Sequence, residues 1–126
     1  MNGYLIDSDI LIDYLRGQER ARAFLLEVSK KMTLWISIIS IIEIYSGEET
    51  KDLQKLNRVG EFLNNFEIVW LSLNIAKRAG ELRRDYQKPF ADSIIAAGAL
   101  EYDLRLITRN VKHFDLIKDL KLLKPY

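Results

Sequence analysis

The stretch Tyr4-Leu5-Ile6-Asp7-Ser8-Asp9-Ile10-Leu11-Ile12-Asp13-Tyr14-Leu15 passes from a short apolar run, through Asp-Ser-Asp, into a helical pattern. Short apolar runs bounded by turn-forming residues read as buried strands, and a helix that follows at once makes a βα unit. The same rhythm recurs along the chain. Strands are expected at Gly3–Ile6, Thr33–Ile36, Ile68–Leu71 and Arg105–Thr108, with an edge strand at Lys121–Leu123. Helices are expected at Ile10–Leu15, Glu19–Ser29, Ile41–Ser46, Leu53–Asn64, Leu73–Gln87 and Ala91–Glu101. Such alternation builds an α/β fold around a parallel sheet. Within Leu73–Asp85, Leu73, Ala76, Ala79, Gly80 and Leu82 are expected to face the core. Ala91–Leu100 is small and apolar nearly all round, as a central helix packed closely on a sheet would be. Trp35, Trp70 and Tyr102 lie in apolar surroundings and read as core.

The chain has 126 residues, the length of one domain. No repeat and no Pro/Gly/Ser-rich linker divides it, so residues 1–126 are expected to form a single domain. With 48% hydrophobic and 29% charged residues, the composition is that of a globular protein with a real core. The absence of Cys removes disulfides, thiolate zinc sites and cysteine nucleophiles. A single histidine, His113, excludes multi-His metal centres and argues against a Ser-His-Asp triad. It reads as a surface loop residue. The net charge is only +1, so basic charge alone does not mark a nucleic-acid binder. A bound divalent cation would add charge that this count omits. The first residues do not read as an export signal and no apolar run is long enough to span a bilayer, so a cytoplasmic protein with no membrane partner is expected.

In open α/β sheets, ligands bind beyond the carboxyl ends of the strands. Asp7-Ser8-Asp9 follows the first expected strand; Ser37, Ser40 and Glu43 lie beyond the second; Thr108-Arg109-Asn110 closes the fourth; and Asp92 opens the small-residue helix. Asp7, Glu43, Asp92 and Asn110 are therefore candidates to meet on one rim. Gathered carboxylates repel unless a cation or proton separates them. Oxygen donors without Cys or His select Mg²⁺ or Mn²⁺. Such a centre suits attack of water on a phosphoester or phosphodiester. Each residue also has a plainer reading. Asp7, Asp9, Asp92 and Asn110 all stand where helix caps stand, and Ser40-Ile41-Ile42-Glu43 matches a capping box. Cap and ligand are compatible roles for a first-turn carboxylate. Ser8 and Thr108 are candidates for hydrogen bonds that support the acids, or for ordinary turn residues. Arg16, Arg83, Arg84, Lys88, Arg105, Arg109 and Lys112 are candidate contacts to a phosphate backbone, although most charged residues only solvate a surface.

At these residues the sequence resembles the PIN-domain family, and within it the VapC-type toxin ribonucleases. Tyr4–Gly17 is similar to the opening motif and its acid, Asp7. Ile36–Gly47 resembles the second block, with its acid at Glu43; Phe90–Ala97 resembles the third, with Asp92; and Leu106–Phe114 resembles the fourth. The fourth acidic position is Asn110 here, and His113 stands where relatives commonly carry an acid. The resemblance implies a three-layer α/β/α sandwich with a central parallel sheet of four to five strands, and a homodimer. It also implies Mg²⁺- or Mn²⁺-dependent endoribonuclease activity on RNA (tRNA, rRNA or mRNA), leaving a 5′-phosphate, and a VapB-like antitoxin whose tail crosses the active-site groove. In that reading Asp7 and Asp92 bind the metal, Glu43 binds it or orients water, and Asn110 takes the fourth corner. Two other readings are weighed beside it. One is a small phosphohydrolase using Asp7 of Asp7-Ser8-Asp9 as nucleophile. The other is an interaction module whose acidic rim binds a basic peptide or a structural ion.

Overall fold

A computed structural model of the protein describes residues 2–126. Its strands are β1 (Tyr4–Ile6), β2 (Leu34–Ser37), β3 (Glu67–Val69), β4 (Arg105–Ile107) and β5 (Leu122–Leu123). Its helices are α1 (Ser8–Leu15), α2 (Glu19–Ser29), α3 (Ile38–Tyr45), α4 (Leu53–Leu63), α5 (Leu73–Tyr86) and α6 (Phe90–Tyr102). Single 3₁₀ turns at Glu48–Lys51 and Val111–His113 complete the order. The five strands pair in the order β3-β2-β1-β4-β5, every pair parallel. The expected parallel α/β sandwich is thus present, with the short edge strand included.

Successive strand residues point to opposite faces, and the two faces carry two cores. Leu5 and Leu106 pack with Ile75, Ala79 and Leu82 of α5 and with the buried Ile94–Ala99 run of α6. Ile6, Leu34, Ile36 and Ile107 pack on the other face against α1 to α4, through Ile10, Leu25, Ile44 and Val59. Because both faces are covered, the strands read as continuous apolar runs. The small residues of α6 have a steric cause: a Cβ on Gly98 would lie 3.0 Å from Val69 Cγ1 of β3. At the other end of the sheet, Gly3 adopts φ +144°, and a Cβ there would come within 2.5 Å of Thr33 O.

Some expectations are corrected. Helix α3 begins at Ile38, not Ile41, and its cap is Ser37, whose side chain accepts from Ile39 N. Ser40 is fully buried inside the helix, so it closes no capping box with Glu43. Helix α5 turns Ile75, Ala79 and Leu82 inward and leaves Leu73, Ala76 and Gly80 exposed. Trp70 is not core, being 61% exposed, whereas Trp35 and Tyr102 pack against the α5–α6 core and meet edge to face. Among the described residues no helix is long and apolar enough to cross a membrane.

Candidate active site

The sheet order places a topological switch at β1: the chain runs from β1 outward to β2 and β3, then returns to β4 on the other side. Crevices of this kind, outside the carboxyl ends of the strands, are where α/β sheets bind ligands. Asp7 and Thr108 are the residues that step off β1 and β4 at that point. The ladder continues one bond beyond β1, with Asp7 N donating to Ile107 O at 2.9 Å. Asp7 then turns to cap α1, and its Oδ1 accepts from Ser8 N at 2.8 Å. Its Oδ2 accepts from the Thr108 hydroxyl at 2.8 Å, and Thr108 is fully buried.

Asp9, one turn position further, belongs to the same cluster. Its Oδ1 accepts from Ile10 N at 2.8 Å. Its Oδ2 accepts from Arg109 N at 3.0 Å and from Asn110 Nδ2 at 3.2 Å, and it lies 3.4 Å from Thr108 Oγ1, whose one proton goes to Asp7. From the sequence alone Asp9 reads as a helix cap and falls outside the candidate site. The signal was the Asp-x-Asp spacing itself, because a cap residue and the second helical residue share one turn. Asn110 is exposed; its backbone N donates to Thr108 Oγ1 at 3.0 Å, and its side-chain amide is engaged with Asp9.

Glu43 projects from α3 as an exposed side chain whose Oε1 accepts from Ser8 Oγ at 2.7 Å. Ser8 Oγ also lies 2.9 Å from the buried Ser40 Oγ. Asp92 stands in the first turn of α6, with Oδ2 3.7 Å from His113 Nδ1. His113 is exposed, as expected of a loop residue, yet it stands over an acid of the rim.

Electrostatics tie these acids together. Asp7 is pushed up to about 7 by burial first, then by the Asp9 charge and more weakly by Asp92; the Thr108 and Ser8 hydrogen bonds oppose the rise. Asp9 is also raised by burial, against the lowering pull of Arg109 N and Ile10 N. Burial raises Asp92, and His113 and Lys88 oppose it.

The candidate phosphate contacts divide by what already holds them. Arg109 donates to Asp13 at 2.7 Å, and Tyr126 donates to the same Oδ2 at 2.8 Å. Arg84 is turned onto its neighbour Asp85, at 2.7 and 3.0 Å. Arg16 reaches Glu49 at 3.4 Å. Lys88 stands close enough to Asp92 to lower it, and the exposed Lys112 forms no ion pair among the described residues. Arg16 and Glu43 also border an open groove of about 770 Å³, with Tyr14, Leu15, Val59 and Phe62 along its apolar wall.

The donor set suits a hard divalent cation: oxygen only, acid-rich, and centred on a buried carboxylate whose ionisation two other acids oppose. Among the described residues no three His, Asp or Glu side chains form a ready-made cage. Three of the acids are instead tied to the chain's own donors: Asp9 to Arg109 N, Glu43 to Ser8, Asp7 to Thr108. A cation would supply the counter-charge that these neutral donors lack.

The PIN domain family model matches residues 4–119. The chain is similar to Ribonuclease VapC10 of Mycobacterium tuberculosis, 37% identical over 122 residues that cover 93% of this chain and 90% of the relative. Ribonuclease VapC19 of the same organism is 32% identical over 97% of this chain and 98% of its own. In three dimensions the fold superposes on a chain of a toxin–antitoxin complex from Klebsiella pneumoniae with a TM-score of 0.84. That chain is 34% identical, and the match covers 98% of both.

Proposed function

The chain belongs to the PIN-domain family, and on that premise we propose that it is a metal-dependent endoribonuclease, the toxin half of a VapBC-type toxin–antitoxin pair. The observation that carries the reading is Asp7 at the sheet's switch point, fixed by Ser8 N and Thr108 and raised by its burial and then by the neighbouring acids. Asp7 and Asp92 would hold Mg²⁺ or Mn²⁺, and Glu43 would hold it or orient the attacking water. A bound cation supplies neutralising charge at the phosphoryl oxygen and makes water easier to deprotonate. Ser8 and Thr108 fix Glu43 and Asp7, and Asn110 steadies Asp9 through its amide. Water attacks the phosphorus and the 3′ oxygen leaves, giving a 5′-phosphate. Lys88 and Lys112 are the basic side chains best placed to meet RNA without first breaking an ion pair, with Arg16, Arg84 and Arg109 available by exchange.

The relatives extend the proposal to partners. A solved relative is a toxin–antitoxin complex, and the groove that begins at Glu43 combines an apolar wall with charged rims. It suits the amphipathic tail of a VapB-like antitoxin, which would cover the acids while bound. A homodimer in the cytoplasm, each chain a single PIN domain over residues 1–126, completes the assignment.

The test is cleavage of RNA by partner-free protein in Mg²⁺ or Mn²⁺, with and without chelator. Wild type should cut only with the metal, and Asp92→Asn should lose at least about 100-fold in rate, as loss of a directly acting charge does. Equal rates for the two proteins would remove Asp92 from the site. One observation favours a binding module instead. The fourth corner is a neutral amide already engaged by Asp9, so protein that stays inactive at every metal concentration would establish that alternative. The phosphohydrolase reading is weaker, since no Asp-Asp pair follows Asp7-Ser8-Asp9 later in the chain.

A further inference from the structure

Glu43 presents a problem of order. It is exposed, and fixing a free glutamate in one rotamer costs conformational entropy. Among the described residues its one hydrogen bond is the 2.7 Å bond from Ser8 Oγ. Ser8 Oγ has a single proton, and a carboxylate oxygen only accepts. With that proton directed at Glu43, the 2.9 Å contact to Ser40 has to carry the Ser40 proton toward Ser8. Ser40 is fully buried, and the described residues offer its hydroxyl no other hydrogen-bond partner. Among those residues, then, a buried hydroxyl in the interior of α3 has Ser8 as its sole outlet.

From this geometry we propose that Ser40 is a positioning residue: the relay Ser40 Oγ–H to Ser8 Oγ–H to Glu43 Oε1 orients the Glu43 carboxylate toward the acidic rim. Donation from Ser40 polarises the Ser8 hydroxyl and strengthens its bond to the carboxylate, as chained hydrogen bonds do. The relay also links two elements. Ser8 opens α1 beside Asp7, while Ser40 and Glu43 lie one turn apart on α3. It thereby sets how far Glu43 stands from Asp7. Ser40 touches neither substrate nor cation and acts only through Ser8. This role rests on the ribonuclease reading for its consequence, though not for its geometry.

A double-mutant cycle tests it, using Ser8→Ala, Ser40→Ala and both together. Two readouts are taken: Mn²⁺ affinity by electron paramagnetic resonance, and kcat and KM for cleavage of a defined RNA. Loss of an outer hydrogen bond to a metal-binding side chain costs roughly 10-fold or more in affinity or rate. Ser40→Ala should therefore weaken Mn²⁺ binding by about that factor and lower kcat with KM little changed, in protein whose circular dichroism matches wild type. In the Ser8→Ala background, Ser40→Ala should have no further effect. Losses that multiply would show that Ser40 acts independently of Ser8, and an unaltered Ser40→Ala would show that it does not act; either overturns the relay. Wild type that binds Mn²⁺ yet leaves RNA intact would refute the ribonuclease reading while the Mn²⁺ cycle still decides the relay. Wild type that does neither would refute both.

Discussion

Asp7 concentrates the cost of the rim in one side chain. Only 8% exposed, it is pushed up to about 7 from 3.8 by burial, then by Asp9 and Asp92, despite hydrogen bonds from Thr108 and Ser8. A folded pKa above the unfolded one means that between about pH 4 and pH 7 the folded chain keeps a proton that the unfolded chain releases. Without metal, stability should therefore fall as pH rises through that window, and the full penalty should persist above it. A shift of this size corresponds to a few kcal/mol at most. Asp7→Asn removes the charge and keeps an acceptor for Ser8 N. In chelator it should be more stable than wild type by about 1–3 kcal/mol at pH 8, with the difference closing near pH 4, while cleavage is lost. Urea denaturation at several pH values measures this. Mn²⁺ should raise the unfolding midpoint of wild type much more than that of Asp7→Asn. Parallel pH profiles for the two proteins would mean that Asp7 is not the strained group.

At the scale of elements, α6 shows how far a sequence can be read. The run Ile94-Ile95-Ala96-Ala97-Gly98-Ala99 is apolar on every side, as a buried helix is, and here the sheet and α5 cover it. Its close approach is quantified at Gly98, where a Cβ would meet Val69 Cγ1 at 3.0 Å. Gly98→Val adds branched bulk where a single carbon is already tight. It should destabilise the fold by about 1–3 kcal/mol, as overpacking does, and chemical denaturation would record it; an unchanged midpoint would mean that α6 rides loosely on β3. Helix α3 marks the limit of such reading. Ser37 and Ser40 are both good caps by type, and only the register of β2 decides between them. Ser37 pairs with Val69 at the end of the strand and turns there into the helix, so Ser40 falls inside and its hydroxyl becomes available to Ser8. Asp9 was obscured similarly. A cap and a site residue have the same composition and spacing, and what separates them is Thr108 and Asn110, about a hundred residues away. The strands, the helices and the rim's main acids are local patterns; the network joining them is made of distant pairs, which no local pattern contains.

For the molecule as a whole, the acids and hydroxyls of the rim come from one chain, so a second copy is not needed to build it. What the single chain leaves unfinished is apolar surface beyond β3. Trp70, Leu71 and Leu73 are 61%, 47% and 70% exposed within four residues. A sheet-edge cluster of this kind is expensive to leave in water, and aromatic and leucine side chains make effective anchors for association. If this surface joins two copies of the chain, wild type should show twice the 14.7 kDa mass of the chain in light scattering. Trp70→Glu with Leu73→Glu should then reduce it to a single chain, since a charge buried without a partner costs several kcal/mol. Neither residue touches the acidic network, so the monomeric variant should keep its Mn²⁺ affinity. Its KM for RNA should rise by contrast, because a chain of net charge +1 gathers few basic groups alone and a groove between two copies gathers more. A variant that stays dimeric would place the interface elsewhere on the surface. A monomer with unaltered KM would confine RNA binding to the groove of one chain.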